Sequence, residues 1–397
     1  MNRVEALQEI EETVRSPLKA IARWKERFGA KVLGCLACMP PFAPEEWVHA
    51  AGMLPVGLWG AEIPVRLADA KLQSFACSVV RTSLELGLNG AVSLCDGFLF
   101  PSTCDAFQNL SEVWKATMEK RCFEITFPKR ASGPAARRYL RRELARLEAD
   151  LEGFSGVALD DASLARTIRI YNENRRLMRR LDEERARDPG FLSARRMTEV
   201  VLASSFLPRE EHSLLARALL QGRGASGDAA VPPEGEGPVR VFLTGIMARP
   251  AVVFTALDEL GVWVVGDDLG LGSLYYSIEI PEGRVCRDAL AEAYLRYPPC
   301  STLYPSPPGR AAALIRRARK RRAEGIMILA TKFCEPEFFD APHLREDLET
   351  GGFPSLFLET EMGMTGPGSV RTRIEAFVET LKEKRREKGA SGGGKGD

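Results

Sequence analysis

Residues 94–115 read LCDGFLFPSTCDAFQNLSEVWK. The run CDGFLF is short, apolar and aromatic, which predicts a buried strand; PSTC supplies a turn, and DAFQNLSEVWKATMEK has the spacing of an amphipathic helix. Upstream, KVLGCLAC predicts another strand, followed by the Pro-rich corner MPPFAPEE, the helix EEWVHAAG and the strand MLPVGLWG. ACSVVRTSLELGLNG predicts a helix that stops at Asn89 and Gly90. Apolar residues at Val4, Leu7, Ile10, Val14, Leu18 and Ile21 predict one opening helix from about Val4 to Phe28, stopping before Gly29. Short apolar runs alternating with amphipathic helices indicate a largely parallel sheet with helices on its faces.

From about Ala135 to Gln221 the strand signals vanish. YLRRELARLEADLEGF and SLARTIRIYNENRRLMRRLDEERARD predict long helices, whose arginines alternate with acids at i+3 and i+4 as on solvated faces. QGRGASGDAAVPPEGEGP, rich in Gly and Pro, predicts a linker. A second α/β unit follows: strands VRVFLTG, VWVVGDD, GIMILATKF and PSLFLE, with helices RPAVVFTALDEL, RAAALIRRARKRRAE and HLREDLET among them. A last helix, RTRIEAFVETLKEKRREK, fades into ASGGGKGD. The fold class expected is α/β, with two doubly wound parallel-sheet lobes and a helical insert between them. The expected divisions are an N-terminal lobe with its leading helix (1–134), a helical region (135–221), a linker (222–238), a C-terminal lobe (239–385) and a flexible tail (386–397).

Composition narrows the function. Fifty-five basic against 54 acidic side chains leave a formal charge of +1, so a general nucleic-acid partner lacks its electrostatic basis. No apolar run approaches the length of a membrane span, and MNRVEALQEIEETVRS lacks a signal-peptide core; a cytoplasmic protein is expected. Nine scattered cysteines in a long chain fit a reducing compartment, where thiols serve metal or redox chemistry.

Three of them stand at strand-to-helix edges. Cys104 follows a strand and begins a helix, Cys334 lies just past another strand, and Cys77 opens the helix CSVVRTSLELGL. In an open α/β sheet, ligands collect beyond the carboxyl ends of the strands, where helix N–H groups can bond to sulfur. By position alone, two readings stay open for these three: separate buried thiols, or one soft site shared by both lobes. Cys95, Cys122 and Cys286 have no ligand-like surroundings. Cys35 and Cys38 form the one CxxC, but within an apolar strand, which favours packing over a redox dithiol. Cys300, in YPPCSTLYP, is a candidate wall residue. GDDLGLGSLYY does not open a helix as a dinucleotide fingerprint must, and GxxxxGK[ST] and GxSxG are absent.

Several strings are familiar together. APEEWVHAAGMLPVGLWG, LCDGFLFPSTCDAFQNLSEVWK, TKFCEPEFFDAPHLREDLETGGFPSLFLETE and TRIEAFVE resemble, in collinear order from about residue 31 to 381, motifs of the 2-hydroxyacyl-CoA dehydratase and benzoyl-CoA reductase family. The resemblance implies a [4Fe–4S] cluster held by Cys77, Cys104 and Cys334, with one iron open to water, another ligand or the substrate carbonyl. It implies one-electron reduction of an acyl-CoA thioester to a ketyl-type radical, by an enzyme of the oxidoreductase or lyase class that works anaerobically. Electrons would come from a separate ATP-hydrolysing iron–sulfur activator, and the catalytic unit would pair with a related second subunit or form a homodimer. HAAGMLPVGLWG, and Gly270 where many relatives carry cysteine, look nearest the smaller reductase-type subunit, so ring reduction is placed first and 2-hydroxyacyl-CoA dehydration next. The alternative is a non-catalytic electron-transfer or double-cubane-type subunit. Glu46 and His49, in the matched helix, are candidate proton-handling groups, with structural roles equally open.

Overall fold

The computed structural model describes residues 1–37, 42–221, 237–283, 285–302, 309–364 and 366–392. Two helices open the chain, α1 (Arg3–Arg15) and α2 (Pro17–Phe28). The single helix expected there breaks at Ser16, because Pro17 has no N–H to continue α1 but suits the first position of a new helix. The first lobe then runs β1 (Val32–Leu36), α3 (Glu45–Ala50), β2 (Leu54–Leu58), α4 (Ser78–Leu88), β3 (Gly97–Pro101), α5 (Asp105–Thr117) and β4 (Arg121–Ile125). Four helices follow: α6 (Gly133–Ser155), α7 (Asp161–Arg187), α8 (Ala194–Ala203) and α9 (Arg209–Gln221). The second lobe runs β5 (Arg240–Gly245), α10 (Ala251–Glu259), β6 (Trp263–Leu269), α11 (Cys286–Leu295), α12 (Gly309–Lys320), β7 (Gly325–Thr331), α13 (Glu335–Thr350), β8 (Ser355–Thr360) and α14 (Pro367–Gly392).

Each lobe is built on a four-stranded sheet, ordered β2-β1-β3-β4 in one and β6-β5-β7-β8 in the other, with parallel pairing throughout. The strands are Val-, Leu- and Phe-rich and most are buried along their whole length, as sheets covered on both faces must be. In both sheets the winding reverses beside the first strand, between β1 and β3 and between β5 and β7. A crevice opens at the carboxyl ends of those strands.

The helical layer is not a separate body. Leu140, Leu147, Leu164 and Leu219 share one continuous apolar core with Val32, Leu33 and Phe98 of the first sheet, and Ile10 of α1 joins them. Buried ions tie α7 to the second lobe: Arg185 bonds Asp182 and Asp267, and Trp263 Nε1 donates to the Arg185 carbonyl at 2.9 Å. Across the seam between the sheets, Met362 N donates to Ser78 Oγ at 3.1 Å and Ala251 N to Glu62 Oε1 at 2.8 Å.

Most of the expected linker, 222–236, lies outside the described residues. The last helix differs from expectation. It continues through residues 386–392, where a flexible tail was predicted, because Lys384, Arg386 and Glu387 are good helix formers that propagate a helix already anchored at Arg385. Arg385 is held by Glu324 at 2.6 Å.

Candidate functional site at the seam between the lobes

Cys77, Cys104 and Cys334 are each the N-cap residue of a helix, α4, α5 and α13 respectively. All three line one small cavity of about 50 Å³, together with Ala37, Trp59, Thr103, Phe107, Ile246, Met247 and Thr331. Ala37 and Thr103 follow β1 and β3; Ile246 follows β5 and Thr331 ends β7. The crevices of the two sheets therefore face each other, and the cavity is their shared mouth. Cys104 and Cys334 occupy equivalent places in the two lobes, each just after the third strand of its sheet.

The backbone is bent to reach this geometry. Ala37 and Phe333 have left-handed φ values of 43° and 61°, unusual for residues with a side chain, and both stand at strand ends beside the cavity. The Phe333 turn lets Cys334 N donate back to the Thr331 carbonyl at 2.9 Å. Behind it, Glu337 joins the two switch-point strands: its carboxylate accepts from Ile246 N and Thr331 N, both at 2.7 Å. Gly245 is required beside it. Its φ is +147°, and a Cβ there would lie 2.3 Å from the Leu329 carbonyl oxygen.

The electrostatics are those of buried thiols. Burial pushes Cys77 up to about 12, against weaker lowering by the Val79 and Val80 N–H groups. Burial likewise raises Cys104, opposed by the Phe107 and Ala106 N–H groups, and raises Cys334, where Glu337 adds to the effect. Three thiolates in so apolar a cavity need a positive partner to replace lost water. Among the described residues no three His, Cys, Asp or Glu side chains meet closely enough to hold a single metal ion. The three thiols instead surround a cavity, none of them in a disulfide, with helix N–H groups aimed at the sulfurs. This soft, three-donor, water-poor set fits an iron–sulfur cluster better than a single hard ion.

The other sequence candidates lie elsewhere. Glu46 is buried under α7, bonded by Arg175 and by Tyr294 Oη, the latter at 2.6 Å. His49 Nδ1 meets Thr167 Oγ1 at 2.9 Å, and Nε2 lies 3.3 Å from Glu210. Neither lines the cysteine cavity. Cys300 is buried with Sγ 3.2 Å from Thr302 Oγ1; Thr302 lines the cavity and Cys300 stands behind it. Cys35 is buried in β1, and Cys38 lies outside the described residues. Sequence reasoning missed Trp59 and Glu337. WG at a strand end was the only signal for the first, and the third position of α13 for the second.

The 2-hydroxyglutaryl-CoA dehydratase D-component family model matches residues 40–381. The chain belongs to this family. Among relatives of the 2-hydroxyglutaryl-CoA dehydratase D-component family, the β subunit of (R)-phenyllactyl-CoA dehydratase from Clostridium sporogenes is 33% identical over 94% of this chain and 98% of its own length. The β subunit of lactoyl-CoA dehydratase from Anaerotignum propionicum is 32% identical over 96% of this chain and 100% of its own. A benzoyl-CoA reductase subunit from Thauera aromatica is 28% identical over 91% of this chain and 94% of its own. Membership makes this chain an enzyme component of the lyase or oxidoreductase type. HAAGMLPVGLWG and Gly270 placed the reductase branch first, whereas the identity to these two dehydratase β subunits is higher than that to the reductase subunit. Those positions are local, whereas the identities extend over nearly the whole chain.

Proposed function

We propose that this chain is a β-type subunit of an acyl-CoA dehydratase, holding a [4Fe–4S] cluster on Cys77, Cys104 and Cys334. Dehydration of a 2-hydroxyacyl-CoA is the favoured reaction, and aromatic ring reduction comes second. The observation that carries the proposal is the convergence of three helix-capping thiols, two from one lobe and one from the other, on a single apolar cavity.

Bound there, the cluster would supply single low-potential electrons to a thioester. The chain's own residues hold and shield it. The N–H groups that open α4 and α5 point at the sulfurs and favour their anionic form. Trp59, Phe107, Ile246 and Met247 exclude water, and Glu337 fixes the spacing of the strand ends that carry Ile246 and Cys334. No phosphate loop is present in the sequence, in keeping with electrons delivered by a separate ATP-hydrolysing iron–sulfur activator. A related second subunit or a second copy completes the enzyme in this reading. Glu46 and His49 serve to seat α3 on α7.

The test is electron paramagnetic resonance of anaerobically purified, reduced protein before and after adding lactoyl-CoA, phenyllactyl-CoA and benzoyl-CoA. The expected result is a cluster spectrum altered by the 2-hydroxyacyl thioesters. A cluster spectrum indifferent to every thioester would assign the chain to electron transfer alone, and a protein without a cluster would end the proposal.

A further inference from the structure

Among the described residues no charged side chain lines the cysteine cavity; its polar lining is the thiols and the hydroxyls of Thr103, Thr302 and Thr331. A buried carboxylate stands directly behind that wall. It belongs to Glu337, and its neighbours Pro336, Ile246 and Thr331 all line the cavity. Its two oxygens accept from different strand ends, Oε1 from Ile246 N and Oε2 from Thr331 N, each at 2.7 Å. A carboxylate that accepts backbone N–H groups on both oxygens is held as the anion, here against the opposing effect of burial. Gly245 makes room for it, since a Cβ there would lie 3.3 Å from Glu337 Oε1.

This charge is incompletely neutralised. The cation facing it is Arg310, in the first turn of α12, which pairs with Asp340 and donates from Nη2 to Thr244 Oγ1 at 3.2 Å. The Arg310 charge is shared, with Asp268 and Asp340 ahead of Glu337. The three thiols feel the result unequally. Beyond burial, Cys77 and Cys104 are governed by N–H groups at the starts of α4 and α5, whereas Cys334 is governed by the Glu337 carboxylate. Glu337 also acts across the seam on Cys77. The C-terminal lobe therefore presents a fixed negative field where the N-terminal lobe presents the positive ends of helices.

We propose that Glu337 sets the low reduction potential of the cluster, its buried anion opposing the negative charge that reduction adds. The inference rests on the cluster reading above and adds which residue makes the electrons strongly reducing. One-electron reduction makes an iron–sulfur centre more negative by one charge, and a neighbouring anion in a water-poor, weakly screened site disfavours that step. Glu337 is neither ligand nor proton donor in this role. It acts by charge, and its hydrogen bonds to the ends of β5 and β7 keep that charge in a fixed place. Arg310 works in the opposite sense.

The experiment is a titanium(III) citrate titration of the anaerobically purified holoprotein at a single pH, followed by electron paramagnetic resonance, with iron and sulfide counts alongside. Glu337→Gln, Glu337→Asp and Arg310→Gln are compared with wild type. Glu337→Gln, which keeps the shape and removes the charge, is expected to make reduction about tenfold more favourable, a midpoint about 59 mV more positive. Glu337→Asp, which shortens the side chain and keeps the charge, is expected to stay near wild type. Arg310→Gln is expected to shift the midpoint toward negative. Should Glu337→Gln lose its iron, the Arg310→Gln shift decides: a negative shift sustains the proposal and an unmoved midpoint overturns it. An unmoved midpoint in iron-loaded Glu337→Gln, or an equal shift in Glu337→Asp, overturns the role of Glu337 and leaves the cluster assignment intact. Wild-type protein without iron removes the proposed function instead.

Discussion

At the scale of residues, the cysteine thiols differ by what surrounds them. Cys77, Cys104 and Cys334 sit at helix starts around a common space, whereas Cys35, Cys95 and Cys300 are packed away from it. Each of Cys77→Ala, Cys104→Ala and Cys334→Ala is expected to lose most bound iron and sulfide, because removing one of three anchors leaves an iron without its thiolate. Cys300→Ala is expected to retain both, as measured by metal and sulfide assay after anaerobic purification. His49→Ala is expected to keep turnover near that of wild type, since His49 touches Thr167 and Glu210 rather than the cavity. The places of Cys104 and Cys334 just past strands, and of Cys77 at a helix start, were legible in the sequence, since those strand, turn and helix signals lie within a few residues of the thiols. Trp59 and Glu337 were not legible in this way: their roles depend on which residues of the opposite lobe or neighbouring strand meet them, and that pairing leaves no local pattern.

At the scale of elements, the strand ends carry the site's rigidity, and the short helix α3 is held apart from it on α7. Gly245→Ala forces a Cβ against the Leu329 carbonyl at a φ disfavoured for any other residue, and is expected to cost roughly 2 kcal/mol or more. It would displace the end of β5 from that of β7, so chemical denaturation should show lower stability and the metal assay weaker iron retention. Glu46→Ala strands the buried Arg175 cation beneath α3 and is expected to cost about 3–5 kcal/mol, with iron content unchanged in the folded fraction. Elements with strong apolar periods, such as β1, β3, β5 and β7, were evident from sequence. β4 was not: RCFEI is short, carries two charges and lies at a sheet edge with only alternate residues buried. α11 was hidden within a stretch rich in Pro and Gly. α13 begins eight residues before the expected HLREDLET, running through Pro342, whose missing N–H costs one backbone bond but is tolerated where α13 packs on β7 and β8.

At the scale of the whole molecule, two similar parallel sheets meet at a seam, beside a helical layer that shares the first sheet's core. Such an arrangement brings three thiols from two lobes to one cavity, with buried polar ties between the lobes. A buried histidine within the helical layer sets a pH response. His212 is fully buried, with Nε2 donating to the Val200 carbonyl and Nδ1 accepting from Asn174, and burial followed by the nearby Arg209 depresses it to about 3. The unfolded chain, with His near 6.5, binds a proton across the interval between these values while the folded chain does not. Its stabilising contribution is therefore complete above pH ~6.5 and declines as pH falls toward 3, by at most about 1.4 kcal/mol per unit. Urea unfolding of wild type and His212→Gln over this range is expected to give the flatter profile for the variant.

The most direct measurement of the proposed chemistry is the iron and acid-labile sulfide content of the anaerobically purified chain, wild type beside Cys77→Ala, Cys104→Ala and Cys334→Ala. About four irons and four sulfides per wild-type chain, collapsing in all three variants, are expected from a cluster gripped across the seam. Wild-type protein free of iron and sulfide, or full content in any of the three variants, would refute it.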